Sequence, residues 1–280
     1  MHEYVVMRIA VLGLGTMGRG IAGVVAAAGE DVRAYDPNVD AAPAGVRLSS
    51  SLAEAVDEAE LVFEAVTEDV DAKRAILGQL TGEAIVATNT SSLPLEPLSE
   101  VVPDPERFLA AHFFNPADLV PGVEVAAGPR TSAETLERTF AFLRHLGKEP
   151  IQVKAVPGFI ANRLQLVLFL EALACVEEGL AEPEEIDAVV RKTFGFRLGA
   201  FGPLAIADMA GLDVYAAILD SLRSAYGERF ALPEKLRDLI AEGRLGTKSG
   251  AGLRRYPEEE LRAMLSRRDE TYRRLLAASE

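Results

Sequence analysis

From Arg8 to Val153 the chain alternates short β-rich apolar runs with helical stretches, a pattern that leaves few architectures open. Arg8 to Leu12 reads as a strand. Thr16 to Ala28 reads as a helix, because Met17, Ile21, Val24, Val25 and Ala28 recur at 3.6-residue spacing and Gly29 supplies a stop. Asp31 to Tyr35, Leu61 to Ala65, Ala84 to Thr88, Phe108 to Phe113, Val123 to Ala126 and Ile151 to Val153 supply further strands. Helices are expected from Val70 to Leu80 and from Ala133 to Leu146. Repeated β-α-β units call for a doubly wound, mostly parallel sheet covered by helices on both faces.

The pattern changes at Val156-Pro157-Gly158. Beyond it no convincing strand is found, only helical patterns separated by Gly and Pro. Pro157, Pro183, Pro203, Pro233 and Pro257 each precede such a pattern, where a first-turn proline is tolerated. The helix after Pro157 is apolar around most of its circumference (Phe159, Ile160, Leu164, Leu166, Val167, Leu168, Phe169, Leu170), so it must be covered, in a bundle or in a dimer interface. The expected organisation is an α/β domain over 1–155 and an all-helical domain over 156–280.

Gly13-Leu14-Gly15-Thr16-Met17-Gly18 is a G-x-G-x-x-G turn set between the first strand and the first helix, the context that gives this pattern meaning. Gly13 makes the tight turn, Gly15 lets a pyrophosphate approach the backbone, and Gly18 lets helix pack on strand. The free N–H groups of the helix start, at Thr16 and Met17, would bind the pyrophosphate with help from the helix dipole. Asp36, at the end of the second strand, stands where a carboxylate accepts hydrogen bonds from the adenosine ribose. A carboxylate there repels a 2′-phosphate, which favours NAD over NADP. The first domain therefore reads as a Rossmann fold.

Other classes are less compatible with the chain. Among 280 residues the net charge is −14, which argues against nucleic acid or an anionic membrane surface as the main partner. Cys175 is the only cysteine, which removes an intrachain disulfide framework and suits a reducing compartment; its apolar helical surroundings read as core. The longest apolar run, Leu164 to Val176, is too short to span a bilayer and contains Glu171. The start of the chain has no basic region of a signal peptide, so the expected location is the cytoplasm. No metal-ligand set is assigned.

The sequence contains three histidines. His2 lies at the terminus, and His145 falls in the last turn of a helix, where the dipole suits it. His112 differs. It ends an expected strand in the run Ala110-Ala111-His112-Phe113-Phe114-Asn115-Pro116, and the C-terminal strand ends of open α/β sheets are where ligands bind. An imidazole there can accept the proton of a hydroxyl as hydride leaves, because its unperturbed pKa is about 6.5. A carboxylate on the other ring nitrogen would hold the tautomer, and Glu124, a charge flanked by Val123 and Val125, is the candidate.

Glu64-Ala65-Val66-Thr67-Glu68, Thr88-Asn89-Thr90-Ser91-Ser92, the His112 run and Pro157-Gly158-Phe159-Ile160-Ala161-Asn162-Arg163 follow the glycine turn in that order. Together they resemble the signature of the short-chain L-3-hydroxyacyl-CoA dehydrogenases. Gly246-Thr247-Lys248-Ser249-Gly250-Ala251-Gly252 resembles that family's closing motif. The resemblance implies His112 as base, Glu124 as its partner, and Ser91 and Asn162 as groups bonding the substrate's reacting oxygen or thioester carbonyl. It also implies that Glu68, Lys73, Asn115 and Lys248 lie along NAD, with a homodimer formed through the C-terminal helices. The implied partner is a small molecule, an acyl-CoA thioester.

Members of that family usually carry a long helical hairpin between the second and third strands that helps hold CoA. Here 27 residues separate Asp36 from Glu64 and include Pro37, Pro43 and Gly45, which leaves room for a loop and one short helix. Two alternatives to a CoA thioester substrate follow. One is the same oxidation on a non-CoA 3-hydroxy acid such as carnitine or a sugar acid. The other is an NAD(H)-binding protein without turnover, against which the joint presence of Ser91, His112, Glu124 and Asn162 speaks.

Overall fold

The computed structural model describes residues 6–278, so His2 lies outside the described part. Eight strands form one sheet: β1 (Arg8–Leu12), β2 (Asp31–Tyr35), β3 (Val46–Leu48), β4 (Leu61–Glu64), β5 (Ile85–Thr88), β6 (Phe108–Phe113), β7 (Gly122–Ala127) and β8 (Glu149–Val153). Their order is β3-β2-β1-β4-β5-β6-β7-β8, and every pairing is parallel except β6 with β7. The order reverses between β1 and β4, which opens a crevice at the carboxyl ends of these strands. In register, Leu12 at the end of β1 lies opposite Tyr35 on one side and Glu64 on the other.

Alternation along each strand divides the core between the two faces. Ile9, Val11 and Phe63 pack with Ile21, Val25, Phe142 and Leu143 on one face. Ala10, Leu12, Val62, Val86 and Phe108 pack with Leu77, Leu98 and Phe159 on the other. The helices of this unit include α1 (Thr16–Ala27), α2 (Leu52–Val56), α3 (Val70–Leu77), α4 (Leu95–Ser99) and α5 (Ala133–His145). The side chains of Ser51, Asp69 and Ser132 accept the amides of Glu54, Ala72 and Thr135 and so cap α2, α3 and α5, whereas no side chain caps α1.

The α/β class and the mostly parallel sheet agree with the sequence reading. One strand was not foreseen: β3 lies where a loop was expected. Three residues are too few to show a two-residue period, and only pairing with β2 defines the strand.

The chain divides into two compact units between Phe169 and Leu170, within α6 (Ala161–Glu177). The second unit contains α7 (Pro183–Lys192), α8 (Phe194–Leu198), α9 (Pro203–Ala210), α10 (Leu212–Tyr226), α11 (Glu234–Ala241) and α12 (Glu258–Ala278), with isolated β-bridges joining Ala251 to Gly246 and Arg255. Pro183 and Pro203 occupy first-turn positions, as their spacing predicted. Asp208 is fully buried in this unit and accepts from the amides of Leu253 and Arg254 and from the Tyr256 hydroxyl at 2.7 Å. These bonds pin the Gly-rich segment 246–256 onto α9. Among the described residues no helix is long and apolar enough to cross a membrane.

Candidate active site

Gly13 leaves β1 with φ +86, and its amide donates to Tyr35 O at 2.9 Å. A Cβ there would meet Ala65 O at 2.7 Å, and one on Gly18 would lie 1.8 Å from Gly13 O. Glycine is required at both positions by the protein's own packing. Gly15 is different: it has φ −66, and a Cβ on it would find no protein atom within 4 Å. That open space faces the uncapped start of α1, where Thr16 and Met17 line a cavity of about 820 Å³. The volume falls within the range of small-molecule sites, about 300–1,000 Å³.

Asp36 is on the wall of this cavity, with Oδ2 accepting from the Leu14 amide at 2.8 Å and Oδ1 from the Asn38 amide at 2.9 Å. The carboxylate thus ties the end of β2 to the glycine turn. Each oxygen keeps acceptor capacity for a ribose hydroxyl. An uncapped helix start, open space at Gly15 and a carboxylate at the β2 end are the features a dinucleotide needs, and these residues fit one.

The same cavity reaches Glu68, Ser91, His112 and Asn115. His112 and Glu124 face each other across the antiparallel β6–β7 pair, and Nδ1 lies 3.0 Å from Glu124 Oε2. Both are buried, and the imidazole packs on the rings of Phe114 and Phe159 at 4.4 and 5.8 Å between centroids. Glu124 Oε1 accepts from the amides of Ile160 and Ala161, each at 3.0 Å. Asn162, on the first turn of α6, donates from Nδ2 to Ser91 O at 3.4 Å. Ser91 and Asn162, which are 71 residues apart, are therefore adjacent in space.

Glu68 Oε1 gathers donors from Thr90 Oγ1 at 2.7 Å and from the amides of Ser91 and Ser92 at 2.8 and 3.1 Å, with the Ser91 hydroxyl at 3.2 Å. Partial burial pushes the Glu68 carboxyl up, but the Thr90 and Ser91 hydrogen bonds and the Lys73 charge outweigh it and hold the group below the usual range. Lys73 is not on the cavity wall. Its ammonium is enclosed, 2.8 Å from Glu64 Oε1 and 3.5 Å from Glu68 Oε2, and Glu64 also accepts from Thr88 Oγ1 at 2.6 Å. Lys248 belongs to the second unit, where it meets both Asp213 oxygens at 2.5 and 2.7 Å. Sequence reasoning did not single out Asn89, whose Oδ1 accepts the Phe113 amide at 2.8 Å and joins the ends of β5 and β6 beside His112. Its only signal was its place in the Thr88–Ser92 run.

Residues 8–48 and 37–156 match the family described as "3-hydroxyacyl-CoA dehydrogenase, NAD binding domain", and residues 158–256 match "3-hydroxyacyl-CoA dehydrogenase, C-terminal domain". The chain belongs to the 3-hydroxyacyl-CoA dehydrogenase family. Its first unit carries that family's NAD-binding domain, and NAD is the cofactor it is built for. Among its relatives, "Probable 3-hydroxybutyryl-CoA dehydrogenase" of Bacillus subtilis is 36% identical, over 91% of this chain and 99% of the relative. "5-formyl-3-hydroxy-2-methylpyridine 4-carboxylate 5-dehydrogenase" of Mesorhizobium japonicum is 32% identical, over 94% of this chain and 95% of the relative. The crystal structure of a 3-hydroxyacyl-CoA dehydrogenase from Archaeoglobus fulgidus aligns with TM-score 0.81 at 31% identity, over 96% of this chain and 99% of that one.

Proposed function

We propose that this dehydrogenase oxidises the 3-hydroxy group of an L-3-hydroxyacyl-CoA of the 3-hydroxybutyryl type to the 3-oxo thioester. The observation that carries the reading is the His112–Glu124 pair opening on the same cavity as the glycine turn. NAD, when bound, supplies the hydride acceptor. The protein's task is to remove the hydroxyl proton as the hydride departs. With Nδ1–H donating to Glu124, His112 presents Nε2 as the acceptor nitrogen, and the carboxylate stabilises the imidazolium that forms. The Ser91 hydroxyl and the Asn162 amide hold the reacting oxygen, and the enclosing rings of Phe114 and Phe159 keep water from the imidazole. Glu68 and Asn115 line the cofactor's path, and Lys73 acts through Glu68. In this reading the C-terminal helices form a homodimer.

A second reading, the same chemistry on a non-CoA 3-hydroxy acid, draws on two observations. Only β3 and the five-residue α2 occupy the stretch between β2 and β4, and one relative is named for a pyridine carboxylate. NADH oxidation with acetoacetyl-CoA, compared with free acetoacetate and dehydrocarnitine, separates the two. Turnover of the thioester alone supports the first reading, and turnover of a free acid alone supports the second. NADH binding without turnover of any of them would leave only a nucleotide-binding protein. His112→Gln is expected to lower kcat by roughly 10²–10⁴-fold with NADH affinity unchanged.

A further inference from the structure

Glu124 uses its two oxygens on different elements. Oε2 meets His112, while Oε1 takes two consecutive amides, those of Ile160 and Ala161, at 3.0 Å each. The amides are the unsatisfied donors of the α6 start, where the Ile160 carbonyl accepts the first helical bond from Leu164. The approach to this start is unusual. Gly158 has φ +75 and Phe159, a bulky residue, has φ +44, a backbone state that costs energy and persists only when its surroundings impose it. The fully buried Phe159 ring, packed against His112, provides that constraint, and the reversal aims both amides at one carboxylate oxygen.

We infer that the start of α6 is a positioning element for catalysis: the Ile160 and Ala161 amides lock the Glu124 carboxylate so that Oε2 stays on His112 Nδ1. The inference rests on His112 acting as base. A glutamate on a strand has rotamers to lose, and a carboxylate free to turn would release the imidazole to the other tautomer. Two charge-assisted bonds to one oxygen remove that freedom. The same helical turn aims Asn162 at Ser91, so a single backbone feature places the base's partner and a group of the substrate pocket.

Ala161→Pro deletes one of the two donors at a position where a helix tolerates proline, and the residue before it is in turn, not helix. Ala161→Ser keeps the donor and serves as control. Replacing Ala161 with its α-hydroxy analogue, an ester in place of the amide, removes the N–H with little change of shape and covers the case in which the proline variant does not fold. With three histidines in the chain, ¹⁵N-histidine spectra resolve the His112 tautomer by difference from His112→Gln. In the wild type the expected state is Nδ1–H. In the Ala161→Pro and ester proteins the Nε2–H form should rise and kcat should fall about tenfold or more, the weight of one charge-assisted bond. In a Glu124→Gln background the same change should add less than about twofold, because the two act through one contact. An unaltered His112 tautomer in the donor-deleted proteins overturns the inference whatever their kcat. Full activity in Glu124→Gln and His112→Gln sinks the catalytic reading itself, which is a separate result.

Discussion

Among the described residues, Glu68 and Tyr256 are two partly buried side chains whose ionisation is displaced in ways that stability can report. Glu68 is held below its ordinary value of 4.5, with burial opposing and the Thr90, Ser91 and Lys73 contacts prevailing. A carboxylate with a depressed folded pKa stabilises the fold above its unfolded value and loses that contribution as pH falls through the folded one. Thermal midpoints measured below pH 4.5 should therefore fall less steeply in Glu68→Gln than in the wild type. Tyr256 moves the other way. Burial first, and then its bond to Asp208, raise the phenol from 10.0 to about 12. A raised group stabilises below its unfolded value, so stability should hold up to pH 10 and decline as pH rises toward 12. Tyr256→Phe should remove that alkaline slope and cost about 1 kcal/mol at neutral pH, measured by circular dichroism melts, through the hydrogen bond it loses.

At the scale of elements, the strand–turn–helix unit separates two uses of glycine. Gly15 has an ordinary φ and empty space above it, so Gly15→Ala should leave the melting temperature unchanged. It should weaken NADH binding about 10–100-fold, since the added methyl occupies only the space intended for the pyrophosphate. Gly18→Ala places a carbon 1.8 Å from Gly13 O and should destabilise the apoprotein itself. Denaturation and NADH titration of the two variants check both outcomes. A second tie sits across the sheet. The buried Lys148 ammonium donates to Ala117 O and to Val120 O at 3.0 Å, and the Glu149 amide reaches Pro121 O at 2.8 Å, so the corner between α5 and β8 holds the loop after Asn115. Lys148→Met strands those carbonyls and should cost about 1–3 kcal/mol for each left unpaired. Restoration of stability by Lys148→Arg would show that the donor matters and the shape does not.

One helix, α6, presents large apolar side chains that are exposed among the described residues. On α6, Val167, Phe169 and Leu170 are 66%, 56% and 61% exposed, and Leu164 and Leu166 are exposed with them. A run of this size is out of keeping with a monomer's surface, and a two-fold pairing of identical faces would cover it. Light scattering should give a dimer, and a Val167→Asp, Phe169→Asp double variant should run as a monomer with its NADH affinity retained. A monomeric wild type would remove the homodimer from the proposal. The overall charge of −14 works against any anionic substrate reaching this surface by long-range attraction. Local donors must supply that binding.

Sequence alone reached the features written in short stretches of chain. The order of strands and helices apart from β3 and α4, the turn at Gly13 to Gly18, the acid at Asp36 and a histidine at a strand end before a proline all follow from periodicity and turn chemistry, which are local properties. Glu124 was legible for a related reason, as a charge between valines. Tertiary structure alone decided what these groups bond to. The β6–β7 register sets Glu124 opposite His112, the approach to α6 supplies its two amides, Asp36 straps the glycine turn, and Lys73 is sealed against Glu64 away from the cavity wall. Those partners lie 9 to 37 residues away along the chain, and no local periodicity encodes a contact made only when the sheet closes.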